Sequence, residues 1–186
     1  VKESIKKKIP ILTFFTFSTE NWKRPRKEIS FLFKLIEDYF NKEINNLKKN
    51  GVKINILGNI KSLPKKIKKC LTRSINITKN CKNIRVNLAI NYGSKHEILN
   101  TLKILKKSQT KVTEKNFEKK LYTKGIPDPD LLIRTGGKRR LSNFLLWQLS
   151  YSELYFIDKL WPDFSVGDYN KILKHFRKVK RNFGKI

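Results

Sequence analysis

Apolar and polar positions along the chain fall into alternating short and long periods. Ile11 to Phe17 is a nearly continuous apolar run rich in Ile, Phe and Thr, which suits a strand buried on both faces. It ends at the polar cluster Ser18-Thr19-Glu20-Asn21. Pro25 then stands where a first helical turn accepts it, and Ile29, Leu32, Phe33, Ile36, Phe40, Ile44 and Leu47 recur at steps of three and four. Those steps predict a long amphipathic helix stopped near Gly51. Val52 to Leu57, before Gly58, and Ile84 to Ile90, before Asn91-Tyr92-Gly93, alternate as strands do. Ile67, Leu71, Ser74 and Ile75 outline a helix between them. A further helix follows from about Lys95 to Lys107, then a lysine-rich loop and short helix between Thr113 and Tyr122. Pro127-Asp128-Pro129 breaks the chain, and Leu131-Leu132-Ile133 forms a brief strand closed by Gly136-Gly137. Phe144 to about Tyr151 reads as helical, Leu154 to Ile157 as a last short strand, and Asp168 to Phe183 as a basic helix.

Strands alternating with helices predict an α/β fold, a single domain in which helices flank a central, mostly parallel sheet. No internal repeat, second domain or linker interrupts the pattern. Such sheets place ligands beyond the carboxyl ends of their strands, where both polar clusters considered below fall. A chain of 186 residues buries about two-thirds of its unfolded surface, and 39% hydrophobic residues supply a core despite 31% charged ones.

The net charge of +28 points toward nucleic acid or a membrane surface. Lys, Asn and Ile dominate throughout, as in Lys48-Lys49-Asn50 and Ile75-Asn76-Ile77, so compositional drift at tolerant surface positions accounts for the same charge. Cys70 and Cys81 are too few for a disulfide framework and lack metal-ligand spacing, which fits reduced thiols. No apolar run reaches the roughly 18 residues of a membrane span, and no signal peptide opens the chain, so a soluble cytoplasmic protein is expected. The chain starts at Val1 and contains no methionine, which leaves a non-standard start codon or a lost N-terminus.

Two clusters and one carboxylate carry candidate chemistry. Arg134-Thr135-Gly136-Gly137-Lys138-Arg139-Arg140-Leu141-Ser142-Asn143 follows a buried strand and immediately precedes a helix, with Ser142 near the helix N-terminus. Paired glycines let backbone N–H groups approach an anion, Arg134 and Arg140 offer forked donors, and Ser142 adds a hydroxyl, so diphosphate is the natural ligand. A plain turn with solvated arginines is the alternative. Phe17-Ser18-Thr19-Glu20-Asn21-Trp22-Lys23-Arg24-Pro25 combines an amide, a carboxylate, a large aromatic and an arginine at a strand end, as substrate-positioning loops do. Equally, Ser18 or Thr19 caps a turn there and Trp22 packs on the core. Glu153 lies between a helical pattern and a strand, as a metal ligand or as the partner of an arginine. His96 and His175 stand alone, and no Ser-His-Asp set, Walker loop, GxGxxG or zinc spacing exists.

Together, the segment Phe17 to Pro25, Asn91-Tyr92-Gly93, Ile133-Arg134-Thr135-Gly136-Gly137, Ser142-Asn143-Phe144-Leu145-Leu146-Trp147-Gln148, and Glu153-Leu154-Tyr155-Phe156 with Trp161-Pro162-Asp163 resemble the undecaprenyl diphosphate synthase family of cis-prenyltransferases. The resemblance spans essentially the whole chain in the family's order. It implies a homodimer with a hydrophobic tunnel for the growing prenyl chain, walled here by the Ile29 to Leu47 helix and the Ile11 to Phe17 strand. The reaction implied is sequential cis-condensation of isopentenyl diphosphate onto an allylic prenyl diphosphate such as farnesyl diphosphate. Its product would be undecaprenyl diphosphate, precursor of the lipid carrier for bacterial cell-wall polysaccharides. By the same resemblance Arg134, Arg140 and Ser142, with Leu141 in the same loop, hold the diphosphate of isopentenyl diphosphate. Ser18, Thr19, Glu20, Trp22 and Arg24 contact substrate, and Glu153 helps bind Mg2+ across the dimer. Asn21 occupies the place of a proposed proton acceptor. An amide has little basicity near neutral pH, so positioning a water or a diphosphate oxygen is the better role for it. Transient association with a membrane surface would serve product release, and no specific nucleic acid is implied.

Three departures stand out. The family's N-terminal strand, Asp-Gly-Asn-Gly-Arg phosphate loop and helix have no counterpart, Val1 to Lys8 matching the helix that leads into the second family strand. Arg139 replaces a metal-binding histidine of many relatives, with Lys138 where glutamate is frequent, and arginine cannot ligate magnesium. Ser94-Lys95-His96-Glu97 replaces a Gly-Arg-Trp-Asp type of sequence. A catalytically inactive fragment or partner subunit that only binds diphosphate is the rival expectation. A basic nucleic-acid binder, resting on charge alone, is the third.

Overall fold

The structure, a computed structural model, describes residues 1–182, so Phe183, the predicted end of the last helix, lies outside the described residues. The chain forms two compact units, Val1–Lys124 and Gly125–Ile186. Each is built on parallel strands with helices between or after them, the class that the alternating pattern predicts.

In the first unit a short α1 (Lys2–Lys6) precedes β1 (Ile11–Ser18), α2 (Arg26–Lys49), β2 (Val52–Leu57), α3 (Lys65–Thr78), β3 (Ile84–Tyr92), α4 (Ser94–Lys107) and α5 (Glu114–Glu118). The strands form a parallel sheet in the order β1-β3-β2. Because side chains alternate along a strand, Val52, Ile54 and Ile56 of β2 share one face with Ile84, Val86 and Ile90 of β3. Onto that face α2 delivers Ile29, Phe33, Phe40 and Ile44, and α3 delivers Ile67 and Leu71. Burying each of these side chains contributes about 1.5–3 kcal/mol, which is why the three-and-four periodicity located both helices.

The other sheet face carries a polar rung. Thr13, Asn87 and Asn55 stand in register across β1, β3 and β2. The Asn87 amide donates to Thr13 Oγ1 at 3.1 Å and accepts from Asn55 Nδ2 at 3.0 Å, so its complete burial leaves neither end unsatisfied. The expectation that β1 is buried on both faces holds only for Phe17. Its other residues are half-buried or exposed, because β1 is an edge of this sheet and pairs with β3 alone among the described strands. At the far end of β2, Gly58 has φ +128°, and a Cβ there would meet the Ile90 carbonyl oxygen at 2.2 Å. Only glycine lets the ends of β2 and β3 approach so closely.

In the second unit β4 (Leu131–Arg134) pairs in parallel with β5 (Glu153–Phe156), and α6 (Val166–Phe176) follows. Ser165 and Asp168 cap α6 reciprocally, placing its start two residues before the predicted one. The predicted helix from Phe144 to Tyr151 is absent, the chain running there through successive turns. Ser142, Asn143 and Leu145 have φ of +49°, +63° and +45°, and such left-handed residues interrupt the helical hydrogen-bond ladder just where it would nucleate.

Candidate active site

The loop between β1 and α2 leaves the carboxyl end of its strand as a short 3-10 turn, Thr19–Lys23. Asn21 folds back so that its Oδ1 accepts the Ser18 backbone N–H at 2.7 Å. Its carbonyl oxygen is thus committed to the turn, while its amide donors bond to no described residue. Thr19 donates to the Glu20 carboxylate at 3.1 Å, and Arg24 pairs with Glu28 one helical turn on at 2.5 Å. The Trp22 ring stands edge-on to Phe17 at 5.4 Å and to Phe33 at 5.6 Å, yet stays 40% exposed. Its indole N–H donates to Asn91 Oδ1 at 2.8 Å. Ser18, Thr19, Glu20, Asn21, Trp22 and Arg24 therefore lie in or beside one turn, which is capped and anchors Trp22 as the structural reading has it, while Glu20, Trp22 and Arg24 stay exposed to solvent.

In the second unit Arg134 ends β4 and the loop after it folds back over it. Arg134 Nη1 donates to the Arg140 carbonyl and, at 2.8 Å, to Ser142 Oγ. The Nη2 and Nε donors of Arg134 bond to no described residue, which leaves them for an anion. Burial, then the Arg140 charge beside it, lowers the Arg134 pKa from the ordinary arginine value, the mark of cations gathered without their counter-ion. Leu141 lies half-buried between Arg140 and Ser142. The glycine pair takes a different part from the predicted one. Gly136 N–H donates to the Lys159 carbonyl at 2.8 Å and Gly137 N–H to that of Ile157 at 2.9 Å, so neither is offered to an anion. Their φ values of +89° and +69° turn the loop, so the donors that stay unengaged there are side-chain ones. Nor does Ser142 open a helix, for the reason given above.

Glu153 begins β5 and stands in register with Leu131, whereas Arg134 stands in register with Phe156. At about 3.3 Å per residue, Glu153 lies about 10 Å along the strands from Arg134, at the opposite end of the pair. Its carboxylate forms no ion pair among the described residues, which disfavours the arginine-partner reading. Arg181 pairs with Asp130 instead.

The family model described as "Putative undecaprenyl diphosphate synthase" matches residues 1–184, through both units. The chain belongs to that family. It is 44% identical to an isoprenyl transferase of Rickettsia bellii over 98% of this chain and 81% of that protein, and 39% identical to one of Oceanobacillus iheyensis over 100% and 77%. Among solved structures, a probable undecaprenyl diphosphate synthase from Campylobacter jejuni superposes with TM-score 0.92 at 38% identity, covering 99% of this chain and 88% of that one. Lavandulyl diphosphate synthase from Lavandula x intermedia, in complex with dimethylallyl diphosphate, gives 0.93 at 29% identity, covering 99% and 83%. The protein is accordingly a prenyltransferase of the undecaprenyl diphosphate synthase family, with the α/β fold of the cis-prenyltransferases.

Within that family, the donor set has to be tested against magnesium. Among the described residues no three His, Cys, Asp or Glu side chains gather as a metal site. A lone carboxylate such as Glu153 still fits the ion's usual mode, in which one or two carboxylates bind it and water and phosphate oxygens complete the shell. Arg139 adds nothing to such a shell.

Asn91, in the Asn91-Tyr92-Gly93 motif, lies outside the site residues that the sequence suggests. It is 6% exposed, with φ +51°. Asparagine near a strand end is a weak left-handed signal, and nothing in the sequence indicates that its side chain reaches Trp22.

Proposed function

We propose that the protein condenses isopentenyl diphosphate repeatedly onto an allylic prenyl diphosphate, with farnesyl diphosphate as primer, and that the product is undecaprenyl diphosphate for the lipid carrier of cell-wall polysaccharide synthesis. The supporting observation is the Arg134, Arg140 and Ser142 cluster at the carboxyl end of β4 in a chain of this family. Two guanidinium groups and a hydroxyl in one loop match the charge and acceptor geometry of a diphosphate.

In this reading Arg134, Arg140 and Ser142 hold isopentenyl diphosphate, with Leu141 against its carbon chain. Ser18, Thr19, Glu20, Trp22 and Arg24 contact substrate at the β1–α2 turn. As the C–O bond of the allylic diphosphate breaks, the double bond of isopentenyl diphosphate attacks the allylic carbon, and proton loss from the adjacent carbon leaves the cis double bond. Positioning and cationic stabilisation of the departing diphosphate supply the catalysis. Asn21 contributes through its amide donors, orienting a water or a diphosphate oxygen that takes the proton, since its Oδ1 is already bonded to Ser18. Glu153 would hold magnesium, which would supply neutralisation of the diphosphate charge.

The position of Glu153, at the strand end away from Arg134, favours service to the site of a second copy, and hence a homodimer. Leu160, Trp161 and Val166, each about 60% exposed, offer apolar surface for such an interface. Phe31, Leu35 and Tyr39 form an exposed stripe on α2 that suits a tunnel wall. No described helix is long and apolar enough to cross a membrane. A cytoplasmic enzyme that touches the membrane surface to release product fits these features.

The test is incubation with labelled isopentenyl diphosphate, farnesyl diphosphate and magnesium, followed by chromatography of the dephosphorylated products, beside calorimetric titration with isopentenyl diphosphate. Undecaprenol is the expected product. Binding without incorporation would point to a binding-only subunit, and absence of both would overturn the proposal.

A further inference from the structure

From the carboxyl end of β3, the side chain of Asn91 ties together the two loops that follow β1 and β2. Its Oδ1 accepts from the Trp22 indole in the loop after β1. Its Nδ2 donates to the Asn59 carbonyl and to Ser62 Oγ in the loop after β2, each at 2.8 Å. The Asn91 carbonyl accepts from Asn59 N–H at 3.2 Å. An indole N–H needs an acceptor and a backbone carbonyl needs a donor, so these partners fix which way the amide points. The left-handed backbone at Asn91 aims the side chain sideways across the strand ends, and burial keeps water from substituting for any of its partners.

Trp22 would otherwise be held by ring contacts alone. Edge-on packing against Phe17 and Phe33 restrains the plane of the indole, but a flipped indole could meet the same two rings. The bond to Asn91 selects one orientation, and Asn21 and Arg24 flank Trp22 in the same short turn.

We propose that Asn91 is a positioning residue for the substrate turn, acting through the Trp22 indole to set the aim of Asn21 and Arg24. This rests on the reading of Ser18 to Arg24 as a substrate loop. It assigns to the Asn-Tyr-Gly segment a task beyond ending a strand.

The test is a double-mutant cycle with Trp22→Phe, which keeps a ring and removes the N–H, and Asn91→Gly, which tolerates the left-handed backbone and removes the amide. Farnesyl diphosphate and isopentenyl diphosphate are titrated separately by calorimetry, with magnesium, and the indole Hε1 resonance of Trp22 is followed by NMR in the 15N-labelled protein. Each single variant is expected to weaken the same ligand by about fivefold, the worth of one ordinary hydrogen bond, and the double variant no more than Trp22→Phe alone. Asn91→Gly should also move the Trp22 Hε1 resonance, a change that mere loosening of the β2 loop would not cause. If Trp22→Phe weakens a ligand while Asn91→Gly leaves affinity unchanged, or if the two effects simply add, the inference about Asn91 is wrong. If neither variant alters either affinity, the substrate-loop reading itself fails, and the inference with it.

Discussion

Arg140→Ala and Arg134→Ala separate the two tasks proposed for the loop after β4. The Arg140 side chain bonds to no described residue, so removing it deletes a cation without dismantling the loop. One charge-assisted hydrogen bond to diphosphate is worth about 1.5–3 kcal/mol, and the exposure of Arg140 argues for the lower half of that range, roughly 10- to 40-fold in Kd. Arg134 holds Ser142 and the Arg140 carbonyl while Ser142 and Asn143 sit in the left-handed region at a cost of about 1 kcal/mol or more each. Removing it should lose its own bond to the ligand and also let the loop relax, for a total of about 3 kcal/mol or more. The losses from Arg134→Ala and Ser142→Ala should then fall short of additivity, because both break the same contact. Calorimetric titration with isopentenyl diphosphate at two ionic strengths compares the parent protein, the three single variants and the Arg134→Ala/Ser142→Ala double variant, salt weakening binding least in the variants that lack a cation. Unchanged affinity in Arg140→Ala, or full additivity of Arg134→Ala with Ser142→Ala, would refute the reasoning.

Glu153→Gln should raise the magnesium concentration needed for half-maximal turnover while leaving the thermal midpoint nearly unchanged, and a lowered midpoint with the same magnesium dependence would make Glu153 structural. Tyr92→Phe should cost about 1.5–3 kcal/mol in urea unfolding, since the buried Tyr92 hydroxyl donates to the buried Glu97 carboxylate at 2.5 Å. Burial, and then the Glu97 charge, raises the Tyr122 pKa above 10.0, so its contribution is present below pH 10 and is lost as the pH rises past that value. Stability curves above pH 10 should therefore fall less steeply in Tyr122→Phe than in the parent protein.

How far the sequence reached depended on whether a feature is local. The five strands and the α2, α3 and α4 helices were legible because burial on one face imposes a period of 2 or 3.6 on the residues themselves. The two polar clusters were legible because motif order along the chain is a one-dimensional property. The stretch from Phe144 to Tyr151 misled, since its helical spacing of apolar residues survives in a segment whose backbone is turned by left-handed Ser142, Asn143 and Leu145. The glycine pair misled similarly, because its N–H groups meet carbonyls of Ile157 and Lys159, some twenty residues away in the chain. Parallel strand pairing brought those carbonyls there, and it also carried Glu153 to the end of the pair opposite Arg134. Asn91 is the clearest case: its residue type and motif can be read from the chain, but its bond to Trp22 spans 69 positions. The sequence by itself determined which elements form and which chemical groups are available, because those follow from local periodicity and residue type. Only the tertiary structure decided which donors are already engaged and which remain for a ligand, because hydrogen-bond partners are set by distances between segments far apart in the chain.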